Sequence, residues 1–225
     1  MLYSYCIPYD DGAAPNPFWG VCTLAICKPV IRRTAQEGDW VVGTGSRNSP
    51  IGDCSGRVVY AMQVTRKVTM HEYDALSHRH LRQKRPDWLS RDHRRRLGDS
   101  IYDFSTWPPT ERDGVHGLGN QQTDLGGEYV LTSNRFYYFG DRPVGLPEEL
   151  LPIVKQGQGH KSLSNQPHET AFVDWISGLH LKPNVLHGKP QLDLFARTGL
   201  AATCAEERRR GCEEDERIGD EPTGP

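Results

Sequence analysis

At 225 residues, with 27 Lys and Arg against 29 Asp and Glu and a formal charge of −2, the chain is too neutral on average for a nucleic-acid coat protein or a histone-like tail. It has no run of about 18 apolar residues, and its opening, MLYSYCIPYDDG, lacks the basic and apolar segments of an export signal, so a cytoplasmic protein with no membrane partner is expected. The average conceals strong segregation along the chain.

Residues 2–7 read as a short apolar strand, followed by the turn-rich loop DDGAAPNP and an apolar run over 20–27 long enough for a buried strand. Asn16 sits between two prolines beside Phe18 and Trp19. An amide for a base edge next to flat rings for stacking is the inventory of a base reader, although such rings also serve as core plugs. Cys27 and Lys28 precede Pro29, a residue suited to the first helical position, so a short helix is expected with Val30, Ile31 and Ala35 inward. Free amides at that start favour an anion and can activate a thiol. Lys28 is therefore a candidate phosphate ligand and Cys27 a candidate nucleophile; the plainer alternative is a buried cysteine beside a surface lysine.

EGDWVVGTGS is a strand closing on Thr44, Gly45 and Ser46, which could cradle an anion or form an ordinary turn. RVVYAMQVT, residues 57–65, places Val58, Tyr60, Met62 and Val64 on one face at period two. Thr69-x-x-Glu72 is a capping box opening a helix that Pro86 should end. That helix runs into residues 78–96, HRHLRQKRPDWLSRDHRRR, where eight Lys and Arg face two Asp. Because guanidinium forks match phosphate oxygens, Arg79, Arg82, Lys84, Arg85, Arg91, Arg94, Arg95 and Arg96 are assigned to nucleic-acid binding, a solvated face being the alternative. Trp88, among them, could stack on a base or anchor a core.

Asp99 and Tyr102 read as a turn residue and a core ring. Residues 103–128 read as one long loop holding Asp113, His116 and Asp124. Strands over 129–132 and 135–139 are expected to form a hairpin through Ser133 and Asn134. A second Gly-rich loop carries His160, Lys161 and Ser162. Histidine and carboxylate converging from the two loops would make a general acid and base or a metal site; unrelated surface loops are the alternative for Asp113 and His116. Phe172, Trp175, Ile176 and Leu179 fall at helical spacing and should close the core. Residues 205–225 hold eight acids and four arginines, so 191–225 are expected as a flexible acidic tail behind a single domain of 1–190. The six cysteines lack zinc spacing and are expected as reduced thiols, with no metal and no cofactor assigned. The sum is an α+β domain: a mostly antiparallel, barrel-like sheet of five or six strands with flanking helices.

The phrases APNPFWGVCTLAICKPVIRR, GDWVVGTGS, LGDSIY and GQGHKS, in that order, resemble the bacterial and phage family called nucleotide modification associated domain 2, over residues 1–180. EGDWVVGTGS followed by GRVVYAMQVTRKVTMHEY is also similar to the barrel core of the pseudouridine-synthase-and-archaeosine-transglycosylase-like group, whose base-reading branches bear a pocket at that strand edge. The resemblance implies a context of DNA base modification and a nucleic acid, DNA in particular, or a nucleotide as partner. Three functions follow as expectations. The first is binding of a modified nucleobase by Asn16, Phe18, Trp19, Lys28, Thr44, Gly45 and Ser46, with Lys161 and Ser162 at the second loop. The second is an enzyme with His160 as acid and base and Cys27 as nucleophile. The third is an interaction subunit of a modification or restriction assembly, contacting its partner through the acidic tail.

Overall fold

A computed structural model describes residues 1–195. In chain order its strands are β1 (Leu2–Ile7), β2 (Cys22–Leu24), β3 (Trp40–Gly45), β4 (Arg57–Gln63), β5 (Arg66–Thr69), β6 (Tyr102–Asp103), β7 (Thr110–Glu111), β8 (Tyr129–Ser133), β9 (Phe136–Tyr138), β10 (Val144–Gly145), β11 (His160–Lys161) and β12 (Val185–Leu186). The α-helices are α1 (Pro29–Thr34), α2 (Met70–Arg79), α3 (His93–Arg96), α4 (Gln121–Gly126) and α5 (Glu169–Gly178). The class is α+β, as composition and pattern predict. A seven-stranded sheet runs β11-β1-β3-β4-β9-β12 with β10 also on β4, a second sheet runs β2-β8-β5, and β6 and β7 form a ribbon. Pairing is antiparallel except for β1 with β3 and β9 with β12. No closed barrel is found among the described residues: β11 and β12 end the large sheet without meeting.

The sheet count differs from the expected five or six strands because two stretches of chain cross from one sheet to the other. β4 passes into β5 and β8 into β9 at a shared corner, held by Thr65 N donating to Thr132 O at 2.9 Å and Gln63 N to Arg135 O at 3.0 Å. The expected hairpin at Ser133 and Asn134 is therefore replaced by a bend. Ser133 Oγ donates to Arg135 O and accepts from Arg135 N, which turns the chain without reversing it, and β8 and β9 pair with different strands.

β4 departs from strict alternation. Gly43 faces Tyr60 but Thr44 faces Val58, so Val59 is an extra residue, a β-bulge. Tyr60, Met62 and Val64 point to the core that also holds Tyr3, Tyr5, Leu24, Leu131 and Phe136, whereas Val58 packs on the opposite face with Trp40, Leu150 and Phe172. A bulge shifts the period by one residue, which is why Val58 leaves the face the alternation predicts. The capping box forms as expected, Thr69 Oγ1 accepting from Glu72 N and Glu72 Oε2 from Thr69 N. α2 ends at Arg79, ahead of Pro86, and a 3-10 turn over Arg82–Lys84 follows. On α5, Phe172 and Ile176 are buried, and Phe172 meets Trp40 edge-on at 5.7 Å.

In the run 20–27 only Cys22–Leu24 is strand; Ala25 and Ile26 stay buried, and the chain then turns into α1. Ile31 and Ala35 are inward, but the fully buried residue beside them is Arg32. Of the residues expected as tail, Leu194 packs into the core under α2 and the rest beyond 195 lie outside the described residues. Among the described residues no helix is long and apolar enough to cross a membrane.

Candidate functional site

The turn between β2 and α1 places two consecutive non-glycine residues in the left-handed region, Cys27 at φ 59° and Lys28 at φ 47°. Such backbone costs on the order of 1–3 kcal/mol per residue and persists only where its surroundings over-determine it. Here they do. Cys27 N donates to Asp124 Oδ1 at 2.8 Å, and Arg32 Nε donates to Cys27 O at 2.8 Å. Arg32 also donates to Asp124 O at 2.6 Å and Tyr129 O at 2.9 Å, clamping α1 to α4 and β8. Gly127 is dictated by that clamp, since a Cβ there would lie 2.2 Å from Arg32 Cζ. A reactive side chain on a strained strand-to-helix turn is the geometry of a nucleophile elbow.

Cys27 Sγ lies 3.4 Å from His116 Nε2, and His116 Nδ1 lies 2.6 Å from Asp124 Oδ2. Tyr102 donates its hydroxyl to the same Oδ2 at 2.9 Å. Asp124 and His116 are buried and Cys27 is half-buried, so Cys27 is the most exposed residue of the row. Burial alone would push the His116 imidazolium down, but the Asp124 carboxylate and the Cys27 sulfur overcome it and raise the pKa to about 10. Burial pulls Asp124 upward, and the His116 charge outweighs this and holds it below the usual carboxylate range. Both directions describe one ion pair with its protons on the histidine. Nucleophile, base and orienting carboxylate in hydrogen-bond sequence can generate a thiolate and hold it for attack on carbon.

His160 is elsewhere. It pairs with Tyr5 on the edge strand β11, its ring 5.9 Å from Tyr3. Asp113 is exposed and outside the row. The sequence singles out Cys27, His116 and Asp124 individually without joining them, because nothing in their spacing encodes contact across 89 residues. Arg32 carries no sequence signal as the clamp, since the partner it grips, α4, lies in a stretch whose composition reads as loop.

Asn16 and Phe18 lie in the interior. The Asn16 amide donates to Leu97 O, and its Oδ1 accepts from Lys84 Nζ at 2.7 Å. Lys84 also donates to Asn16 O and Val21 O, so the ammonium assigned to phosphate is fully buried, its pKa lowered by burial to about 8 against the pull of Asp99. Asp99 in turn accepts from Thr23 and Tyr73. Trp19 is half-buried with the Arg94 guanidinium 4.9 Å over its ring, and Lys28 Nζ lies 4.8 Å over Tyr5. Thr44 donates to Tyr5 O at 3.2 Å, and Lys161 to Pro152 O. Ser162 O accepts from Asn165 N. Gly45 and Ser46 border a cavity of about 440 Å³ with Cys6, Arg47, Lys155 and Gly157 among its walls.

The arginines of 79–96 divide. Arg94 forks onto Asp92, and Arg96 donates to Ser90 O and lies over Phe195, which meets Trp88 edge-on. Arg79 and Arg91 are exposed, and Arg82, Arg85 and Arg95 gather at one cleft. Among the described residues no group of three or more His, Cys, Asp or Glu is arranged to hold a metal ion.

A family model, nucleotide modification associated domain 2, matches residues 1–197. No curated protein and no solved structure matches the chain.

Proposed function

We propose that this chain, which belongs to the nucleotide modification associated domain 2 family, is a thiol-dependent enzyme of nucleotide or nucleic-acid modification, with Cys27 as nucleophile, His116 as its base and Asp124 as the group orienting His116. The observation that carries the reading is the row Cys27 Sγ, His116 Nε2, His116 Nδ1, Asp124 Oδ2, with steps of 3.4 and 2.6 Å. With its pKa raised to about 10, His116 is an imidazolium at neutral pH, and its Nε2 lies 3.4 Å from Cys27 Sγ, where its charge favours a thiolate. The sulfur attacks an electrophilic carbon of the base or of its appended group. A carbon–sulfur bond forms, the displaced electron pair leaves with the group it carries, and the His116 proton neutralises that group. Water or an amine then releases the product and restores the thiol. In this reading His160 belongs to the sheet edge beside Tyr3 and Tyr5.

The test is incubation of the purified chain with nucleosides, nucleotides and DNA, read by mass spectrometry for products and for an adduct on Cys27. Turnover that disappears in Cys27→Ala supports the reading, and undiminished turnover rejects it. Iodoacetamide labelling at pH 6 is the second readout: Cys27 should react faster than Cys6, Cys22 and Cys54, and His116→Asn should abolish that advantage.

A second reading, recognition of a modified nucleobase or nucleotide, is favoured by the cavity beside Gly45 and Ser46. Its size suits one nucleotide, and Arg47 and Lys155 supply positive charge. Lys161 and Ser162, from the second loop, belong to the same reading, whereas Asn16 and Phe18, with their partners inside the protein, drop out of it. Nucleoside monophosphate binding measured by calorimetry, lost in Arg47→Ala with Lys155→Ala, tests it.

A further inference from the structure

The basic run of 78–96 is not a uniformly charged face. Lys84 is withdrawn into the core, Arg94 is neutralised by Asp92, and Arg96 is tied to Ser90. What remains converges: Arg82, Arg85 and Arg95, with His78 and Pro86, line a cleft of about 340 Å³. Polar contacts hold each side chain at the cleft: Arg95 Nη1 donates to Arg82 O at 2.8 Å, Arg82 Nε donates to His78 O at 3.0 Å, and Arg85 Nη1 lies 3.3 Å from His78 Nδ1. The countercharges beside the cleft are Asp74, 3.6 Å from His78 and itself paired with Arg112, and Asp87, 3.8 Å from Arg95, and neither Arg82 nor Arg85 has an ion pair among the described residues. Arg85 Nε is buried with no acceptor. Three arginines lining one cleft, one of them with an orphaned donor, favour an anion there, and tetrahedral phosphate oxygens match the fork. Arg79 and Arg91, on the same run of chain, are exposed and add positive charge to this segment.

The cleft is wired to the thiol row. Arg112 Nη2 lies 3.3 Å from His78 Nε2 and 2.8 Å from Asp74, Arg112 Nη1 donates to Tyr102 O at 2.9 Å, and the Tyr102 hydroxyl reaches Asp124. A ligand in the cleft therefore rests on the same framework that orients His116.

We infer that the cleft formed by His78, Arg82, Arg85 and Arg95 holds a backbone phosphate of a polynucleotide, so that the substrate of the thiol chemistry is a nucleic-acid strand. This rests on the reading of Cys27 as nucleophile but is tested separately from it.

Fluorescein-labelled single-stranded DNA is titrated with the full chain, and anisotropy is followed between 50 and 200 mM salt. Arg82→Gln with Arg85→Gln should bind at least about tenfold more weakly at low salt, with a log–log salt slope shallower by about 0.7, the change for the one single-strand phosphate no longer neutralised. Arg79→Glu, at an exposed position that cannot disturb the core, should weaken binding in the same direction. Arg94→Gln, whose charge is already taken by Asp92, should bind within about twofold of the parent. Equal weakening by Arg94→Gln, an unchanged salt slope in the double variant, or no binding by the parent overturns the inference. Inorganic phosphate and adenosine monophosphate are the competing arms: displacement at millimolar concentrations or above fits a polymer site, and micromolar displacement by the mononucleotide overturns it. Cys27→Ser should bind DNA normally. Lost turnover there beside intact binding in the double variant rejects the cleft and keeps the thiol; the reverse rejects the thiol and keeps the cleft.

Discussion

Two buried charge clusters lie close along the chain and do opposite things with their charge. In one, Lys84 sends all three ammonium protons to Asn16 and Val21 oxygens and balances Asp99, whose carboxylate is filled by Thr23 and Tyr73. In the other, His116 and Asp124 form an equally buried pair, but the row ends on half-buried Cys27, carried by a strained turn. The first cluster is closed on itself. The second holds Cys27 on a strained turn at the most exposed position of its row, the difference on which the proposed chemistry rests.

The largest expected effect separates the clusters by readout. Cys27→Ala should lower turnover by at least about a thousandfold while the urea midpoint stays within experimental scatter. Lys84→Met should do the reverse, costing about 3–5 kcal/mol in urea unfolding by stranding Asp99 and three oxygens. A Cys27 variant that unfolds, or a Lys84 variant as stable as its parent, would break the comparison.

A smaller effect is expected at Gly127→Ala, where the new methyl meets the Arg32 guanidinium. Overpacking costs typically about 1–3 kcal/mol, and with the clamp displaced the rate of Cys27 alkylation at pH 6 should fall as well. An unchanged alkylation rate would show that Arg32 is dispensable for the turn.

The finest distinction is in pH. His116 gains protons on folding, its pKa rising from 6.5 to about 10, so its contribution is complete below pH 6.5 and is lost as pH climbs through 10. Lys84 loses affinity for its proton, falling from 10.5 to about 8, so stability gains from it as pH rises from 8 to 10.5. One proton corresponds to about 1.4 kcal/mol per pH unit. Stability from these two groups should therefore fall between pH 6.5 and 8 and level off towards 10 as the two effects cancel. In His116→Asn the fall disappears and a rise above pH 8 remains. In Lys84→Met the decline continues to pH 10. Urea titrations at half-unit intervals read all three curves.

Much of the fold is legible locally. The capping box at Thr69 and Glu72 and the spacing of Phe172 and Ile176 operate within one or two turns of chain, so residue order suffices to read them. The misreadings occur where distant chain intervenes. The bulge at Val59 answers to β3, the corner at Ser133 answers to two sheets at once, and α4 is a short helix built over a buried arginine rather than on an apolar stripe. Asn16 and Lys84 look like ligand-facing residues by type, and burial pairs them with each other instead.

The amino-acid order alone determined the α+β class, the family phrases, the candidate thiol at Cys27 and the charge segregation of 78–96, because each is a property of neighbouring residues. Which histidine meets that thiol, and which arginines face a common cleft, only the tertiary structure decided. Those meetings join residues 27, 116 and 124, or 78, 82, 85 and 95, through packing that no sequence period records, with Arg32 bonded to Cys27 O and Arg112 beside His78.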